Sequence, residues 1–168
     1  MRLRIRLTHV AFYWSKAPAV ITALVLLCSC VQLQTSSLAQ AQVSVPVTTI
    51  SKGLYSGLRE PLQVIIREQE EWAALWSRHA AVRRPAPSPP LIDFSAEMVI
   101  GLFLGQKSTG GYSVEITRAE LDGANLKVFY RERNPTPGDI VTQALTQPYH
   151  LVRLSRSEWV LVFIKEGP

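Results

Sequence analysis

Cysteine is almost missing from this sequence. Of 168 residues only Cys28 and Cys30 are cysteines, and both lie near the start. The chain beyond them can form neither a disulfide framework nor a thiolate metal site, so any domain there is held by its core. Histidine is equally scarce: His9, His79 and His150 stand far apart. No pair of histidines has the close spacing of a helical metal site. There is no Gly-x-Ser-x-Gly element, and neither Ser-x-x-Lys nor Ser-Asp-Asn occurs, so the common serine-nucleophile patterns are excluded. No apolar run reaches the roughly 20 residues of a membrane-spanning helix. An excess of one charge is also lacking once the start is set aside. Four of the 18 basic residues and none of the 13 acids precede Gln42, leaving 14 against 13. A nucleic-acid binder shows a basic face, and "RHAAVRR" is the only basic cluster.

What the start does hold is a basic stretch (Arg2, Arg4, Arg6, Lys16) followed by the short apolar run Ala17 to Leu27. That is the pattern of a secretory signal. Two processing sites compete. "LCSC" resembles a lipoprotein box that would place a lipid on Cys30, although Cys28 departs from it. "AQA", Ala39 to Ala41, has the small residues that an ordinary signal peptidase reads. Residues 1–41 are thus expected to be signal and spacer, and 42–168 one exported domain, in the periplasm or cell envelope. Membrane contact is expected only through the signal or a lipid on Cys30. The 127 residues after Ala41 suffice to bury roughly two thirds of their unfolded surface.

In "EQEEWAALWSRHA", Trp72, Leu75, Trp76 and His79 recur at i, i+3, i+4 and i+7, which predicts a helix over about 68–81. Glu68, Glu70 and Glu71 at its start and Arg78, His79, Arg83 and Arg84 at or past its end suit the helix dipole. The other reading of these glutamates with His79, a metal patch, has no second histidine four residues away. "RRPAPSPP" excludes helix and central strand and reads as an extended crossover within the domain. "MVIGLFL" is a continuous apolar run of strand length, expected to be buried on both faces. "VPVTTISKG", "PLQVIIR", "YSVEI", "NLKVFYRER", "PYHLVRL" and "EWVLVFIKE" complete a count of about seven strands. Asp122-Gly123 marks a hairpin. The fold class is α+β: a mostly antiparallel sheet with the Trp72 and Trp76 face packed on it.

The stretch "GQKSTGGYSVEI" is the densest in unusual residues. It is not a phosphate loop, because Tyr112 and Ser113 follow Gly111 and a strand, not a helix, comes next. Lys107, Ser108, Thr109, Gly110, Gly111 and Tyr112 are the candidate loop or partner contact. Gly110 or Gly111 is expected at positive φ, with Tyr112 opening a strand. His150 is expected on an exposed strand face. A small hydrolase using Ser108 or Thr109 with His150 is the rival reading.

"VIGLFLGQKSTGGYSVEI", a hairpin, and "NPTPGDIVTQALTQPYHLVRL" together resemble the PrcB C-terminal domain family of bacterial protease-complex subunits. The resemblance rests on Gly105, Thr109-Gly110-Gly111-Tyr112, Pro137-Gly138, Gln143, Thr146 and Pro148-Tyr149, and covers about 94–164. It implies a non-catalytic, exported or lipid-anchored protein without cofactor or metal. The implied partner is a secreted or envelope protease, which the protein would stabilise or help to mature. A Thr-Gly-Tyr loop also occurs in chagasin-like protease inhibitors, where it enters the active-site cleft, so inhibition through Thr109 to Tyr112 is the alternative. The Asn-Pro-Thr-Thr-Gly pattern of those inhibitors is absent here.

Overall fold

Pro46 decides how the domain begins. The β-branched stretch around it reads as one strand, but it forms two that join different sheets. β1 (Val43–Val45) lies in one and β2 (Thr48–Gly53) in the other. Proline supplies no backbone N–H to a ladder, so the chain can leave one sheet there and enter the next. The computed structural model describes residues 43–167, which belong to one compact unit, Gln40–Pro168. The signal, both processing sites and Cys30 lie outside the described residues.

The remaining elements are β3 (Pro61–Ile66), α1 (Gln69–Ala80), β4 (Glu97–Leu104), β5 (Ser113–Asp122), β6 (Asn125–Arg133), β7 (Tyr149–Ser155) and β8 (Val160–Lys165). Among the described residues there are eight strands rather than seven, the extra one being the split at Pro46. They form two four-stranded sheets, ordered β1-β5-β6-β8 and β2-β7-β4-β3. Every pair is antiparallel except β6 with β8. The fold is α+β, as the sequence predicts.

The two faces of β4 explain the layering. Met98, Ile100 and Leu102 point to the first sheet and pack with Val114, Ile116, Ala119, Leu126, Val128 and Tyr130. Val99 and Phe103 point the other way and pack with Trp72, Leu75, Trp76 and Ala80 of α1. The three layers are therefore sheet, sheet and helix. A strand in the middle layer is wetted on neither side, so its pattern is a continuous apolar run. β7 shares that layer and is buried on both faces from Tyr149 to Val152.

α1 is fixed at both of its edges. The indole N–H groups of Trp72 and Trp76 donate to the carbonyls of Pro90 and Pro87, at 3.0 and 2.8 Å. The proline-rich crossover thus lies along the helix and hides the tryptophan N–H groups. At the helix end the Gly57 N–H donates to the His79 carbonyl at 2.9 Å. A Cβ on Gly57 would stand 2.0 Å from the Arg78 carbonyl oxygen, which only glycine avoids.

Candidate functional site

The stretch Gly105 to Tyr112 joins β4 of one sheet to β5 of the other. It does not stand alone. Lys107 and Thr146 exchange two backbone hydrogen bonds, at 2.7 and 3.1 Å. The Gly110 N–H donates to the Thr142 carbonyl at 2.8 Å, and the buried Thr146 hydroxyl donates to the Thr109 carbonyl at 2.8 Å. The Leu104 N–H donates to the Pro148 carbonyl at 2.9 Å. Two loops, 105–112 and 134–148, are thus zipped into one double loop. Gly105 turns at φ +69° and Gly111 at φ +87°. Tyr112 sits immediately before β5, and the Lys107 ammonium lies 5.5 Å from its ring centre.

The glycines are there for room as well as rotation. A Cβ on Gly110 would meet the Thr142 hydroxyl at 2.4 Å, and one on Gly111 would meet Val141 at 2.7 Å and Pro135 at 3.0 Å. Gly111→Ala is therefore expected to cost about 1–2 kcal/mol for the left-handed backbone, and more for the crowding. A denaturant melt checks this. A loss below about 0.5 kcal/mol would mean that the double loop opens freely.

Backbone N–H and carbonyl groups of this loop thus find partners in 134–148, and residues far apart in sequence meet here. Gly105, Thr109 to Tyr112, Thr146 and Pro148 are the hinge, the clasp and the anchor of one feature. Part of this chain is similar to a known family, described as PrcB C-terminal. The family model matches residues 98–155, from β4 to the end of β7. This PrcB match takes in both arms of the double loop and the hairpin between them. It points to a protease-complex-associated subunit. A search of curated proteins and a search of solved structures found no match. Of the motif positions, Gln143 is exposed and makes no side-chain hydrogen bond among the described residues.

His150 corrects the sequence expectation. It is buried between the two sheets, not exposed on a strand face. The Ile116 N–H donates to its Nδ1 at 2.8 Å, so the ring proton is on Nε2, which donates to the Thr49 hydroxyl at 3.0 Å. Sequence alternation could not reveal this, because β7 is buried on both faces. Both ring nitrogens are engaged, and neither faces Ser108 or Thr109. Burial holds the ring neutral and lowers its pKa to about 4, helped by Lys52 and opposed by Glu115.

A second polar group lies under the helix. Arg83 donates one N–H nitrogen to His79 Nε2 at 3.2 Å and to the Tyr149 hydroxyl at 2.7 Å. His79 Nδ1 therefore carries the proton and donates to the buried Ser56 hydroxyl at 3.0 Å. Tyr149 in turn bonds Ser51 at 2.9 Å and stands edge-on to the His79 ring, 4.3 Å between centres. Burial first, and Arg83 second, lowers the His79 pKa to about 4.

A serine beside a histidine invites a catalytic reading, but the polarity is wrong. A general base must accept the hydroxyl proton and be oriented by an acid. Here the imidazole donates to Ser56, and a cation occupies its far nitrogen. Sequence reasoning missed Ser56 and Ser51, and placed Arg83 only as a helix-end cation, without its bonds to His79 and Tyr149. Arg83 was within reach, one helical turn after His79. Ser56 gives no local signal.

A cleft of about 590 Å³ opens beside β5, β6 and the end of β8, among Glu115, Arg131, Glu132, Arg133, Lys165 and Glu166. Most of these charges are paired: Arg131 with Glu166 at 3.0 Å, Lys165 with Glu132 at 2.5 Å, and Glu115 with Lys52 outside the cleft at 2.9 Å. The cleft holds no histidine.

Proposed function

We propose that this domain is an exported, non-catalytic binding module that associates with an extracytoplasmic protease and modulates or stabilises it. The observation that carries this reading is the PrcB match over residues 98–155, which contains the whole double loop. Support comes from the two buried histidines, each committed to structural hydrogen bonds and each aimed away from a working nucleophile. The basic start and short apolar run of residues 1–41 support export, with Cys30 as a lipid site or cleavage near Ala41.

The end of the domain that carries the double loop has the makings of a contact surface. The Gln147 N–H donates to the Leu54 carbonyl at 2.7 Å and the Gln106 N–H to the Arg59 carbonyl at 2.8 Å, so loop 53–60 joins the two others there. Leu54, Tyr55 and Leu145 are exposed beside Ser108 and the half-buried Lys107. Tyrosine and arginine in such company are common at protein interfaces.

The test is affinity capture with the full chain from envelope fractions of the native host, then binding of the purified protease. Changing Lys107, Ser108 and Thr109 together to Ala removes only half-buried or exposed side chains, since the clasp uses backbone groups of Lys107 and Thr109. Stability should stay within about 0.5 kcal/mol, while affinity for the protease falls at least tenfold. Full affinity in this variant would remove the loop as the contact. Capture that enriches no protease, together with labelling of a serine by an active-site probe, would overturn the module itself and favour the hydrolase.

A further inference from the structure

A sheet edge exposes a row of unpaired N–H and C=O groups, and proteins blunt such edges to avoid unwanted pairing. Three of the four edges here are blunted. β1 has three residues. β2 is interrupted by a bulge between Thr49 and Ser51 and carries Lys52. β3 opens with Pro61, and past its far end Arg67 donates to the carbonyls of Ser157 and Trp159. β8 has none of these devices. It is regular, has no proline or glycine, and runs Val-Leu-Val-Phe-Ile before its first charge at Lys165. Among the described residues it pairs only with β6.

Its apolar side chains are also short of cover on both faces. Val160 is 63% and Val162 40% exposed on the outer face. Leu161 and Phe163 face the core but are only half-buried there. The Val160 N–H donates to the carbonyl of Ala124, just before β6, and the Glu166 N–H to that of Tyr130 in β6. By the two-residue period of a strand, the backbone groups of Leu161, Phe163 and Lys165 point away from the sheet.

We propose that β8 pairs antiparallel with β8 of a second copy of this chain, about a two-fold axis at Val162. The occupant follows from self-complementarity. The apolar run Val160 to Ile164 is centred on Val162, so this register sets Val160 against Ile164, Leu161 against Phe163, and Val162 against its own copy. Every pair is apolar, and both members of each pair lie on one face. Leu161 and Phe163 then become the hydrogen-bonded pair, which matches the direction of their free backbone groups. A register one step away about Phe163 would set Lys165 against Leu161 and Glu166 against Val160. The pairing joins two four-stranded sheets into one of eight strands and covers the half-buried side of the core. A two-fold contact of this kind closes on itself and leaves no further edge at β8.

Cysteine substitution reads the register directly. In a non-hydrogen-bonded antiparallel pair the Cα atoms stand about 4.5 Å apart, within the roughly 4.4–6.8 Å that a disulfide spans. The full chain is used with Cys28→Ser and Cys30→Ser, so that the introduced thiol is the only one. Under mild oxidation Val162→Cys should give a disulfide-linked dimer at least ten times faster than Val160→Cys. Chance collisions favour the opposite order, because Val160 is the more exposed. The double variant Val160→Cys/Ile164→Cys should recover dimer formation, and Val162→Lys should shift the sedimenting species of the otherwise unchanged full chain to monomer while keeping its near-ultraviolet circular dichroism. Equal or faster linking at Val160, a double variant that stays monomeric, or a parent chain that sediments as monomer would each overturn the pairing. That last result would also be expected if another segment or a different protein covered β8. None of these outcomes depends on whether a protease is the partner.

Discussion

Acidification from pH 7 to pH 4 should remove on the order of 6 kcal/mol of folding stability, about half from His79 and half from His150. Each imidazole falls from an ordinary 6.5 to about 4 in the folded protein. Between those values the unfolded chain binds more protons than the folded one, so stability rises with pH there. The contribution of both histidines is fully present above pH 6.5 and lost as pH falls through 4. The geometry shows why the charged form is refused. A proton on His150 Nδ1 would face the Ile116 N–H, donor against donor, in the middle of the core. A proton on His79 Nε2 would face the Arg83 guanidinium. Glu115, held below its ordinary value by Lys52, adds a loss of the same sign at lower pH.

A loss of that size approaches the whole stability of an ordinary domain, about 5–15 kcal/mol. Urea melts followed by tryptophan emission at pH 7 and pH 4 measure it. His150→Asn keeps an acceptor for Ile116, and His79→Gln keeps one for Arg83; neither titrates in this range. Each should lower the stability at pH 7 and remove about half of the pH dependence. A parent protein that loses less than about 1 kcal/mol over this range would mean that both rings take up protons without breaking their bonds.

How much of this was legible beforehand depends on the distance over which each signal acts. The helix was readable because its period is local, and Trp72, Leu75, Trp76 and His79 are all buried as that period requires. The double burial of β4 was readable from an unbroken apolar run. Sheet membership was not. The residues on either side of Pro46 are equally β-branched, and only tertiary packing sends Val45 to one sheet and Thr48 to the other. The parallel β6–β8 pair was hidden for the same reason, since strand direction is a property of the connections. The glycine-rich stretch was recognisable as special, and its place in a PrcB-like motif pointed to residues 134–148. That the two arms bond to each other through Thr142 and Thr146 follows only from the three-dimensional arrangement. The Ser56–His79–Arg83–Tyr149–Ser51 network draws on four segments, and no single window of sequence contains it.

The other large effect should come from Trp72→Ala, at about 3–5 kcal/mol. Trp72 is fully buried, against Trp76 at 5.2 Å between ring centres and beneath the crossover. Truncation opens a cavity between α1 and the middle sheet, and also leaves the Pro90 carbonyl without its donor. Trp72→Phe separates the two losses. It keeps most of the apolar contact and removes the N–H, so it should cost about 1–3 kcal/mol, nearer the penalty for one buried unpaired acceptor. Trp76→Ala should resemble Trp72→Ala, because its indole closes the same crossover at Pro87. The two rings touch, so their effects should not add: the double variant should depart from the sum by about 0.5–3 kcal/mol. Equilibrium denaturation of the parent and the four variants decides. Losses below about 1 kcal/mol at both tryptophans would mean that α1 is not held by this face. The helix would then be free to meet a partner, and would displace the double loop as the first surface to test.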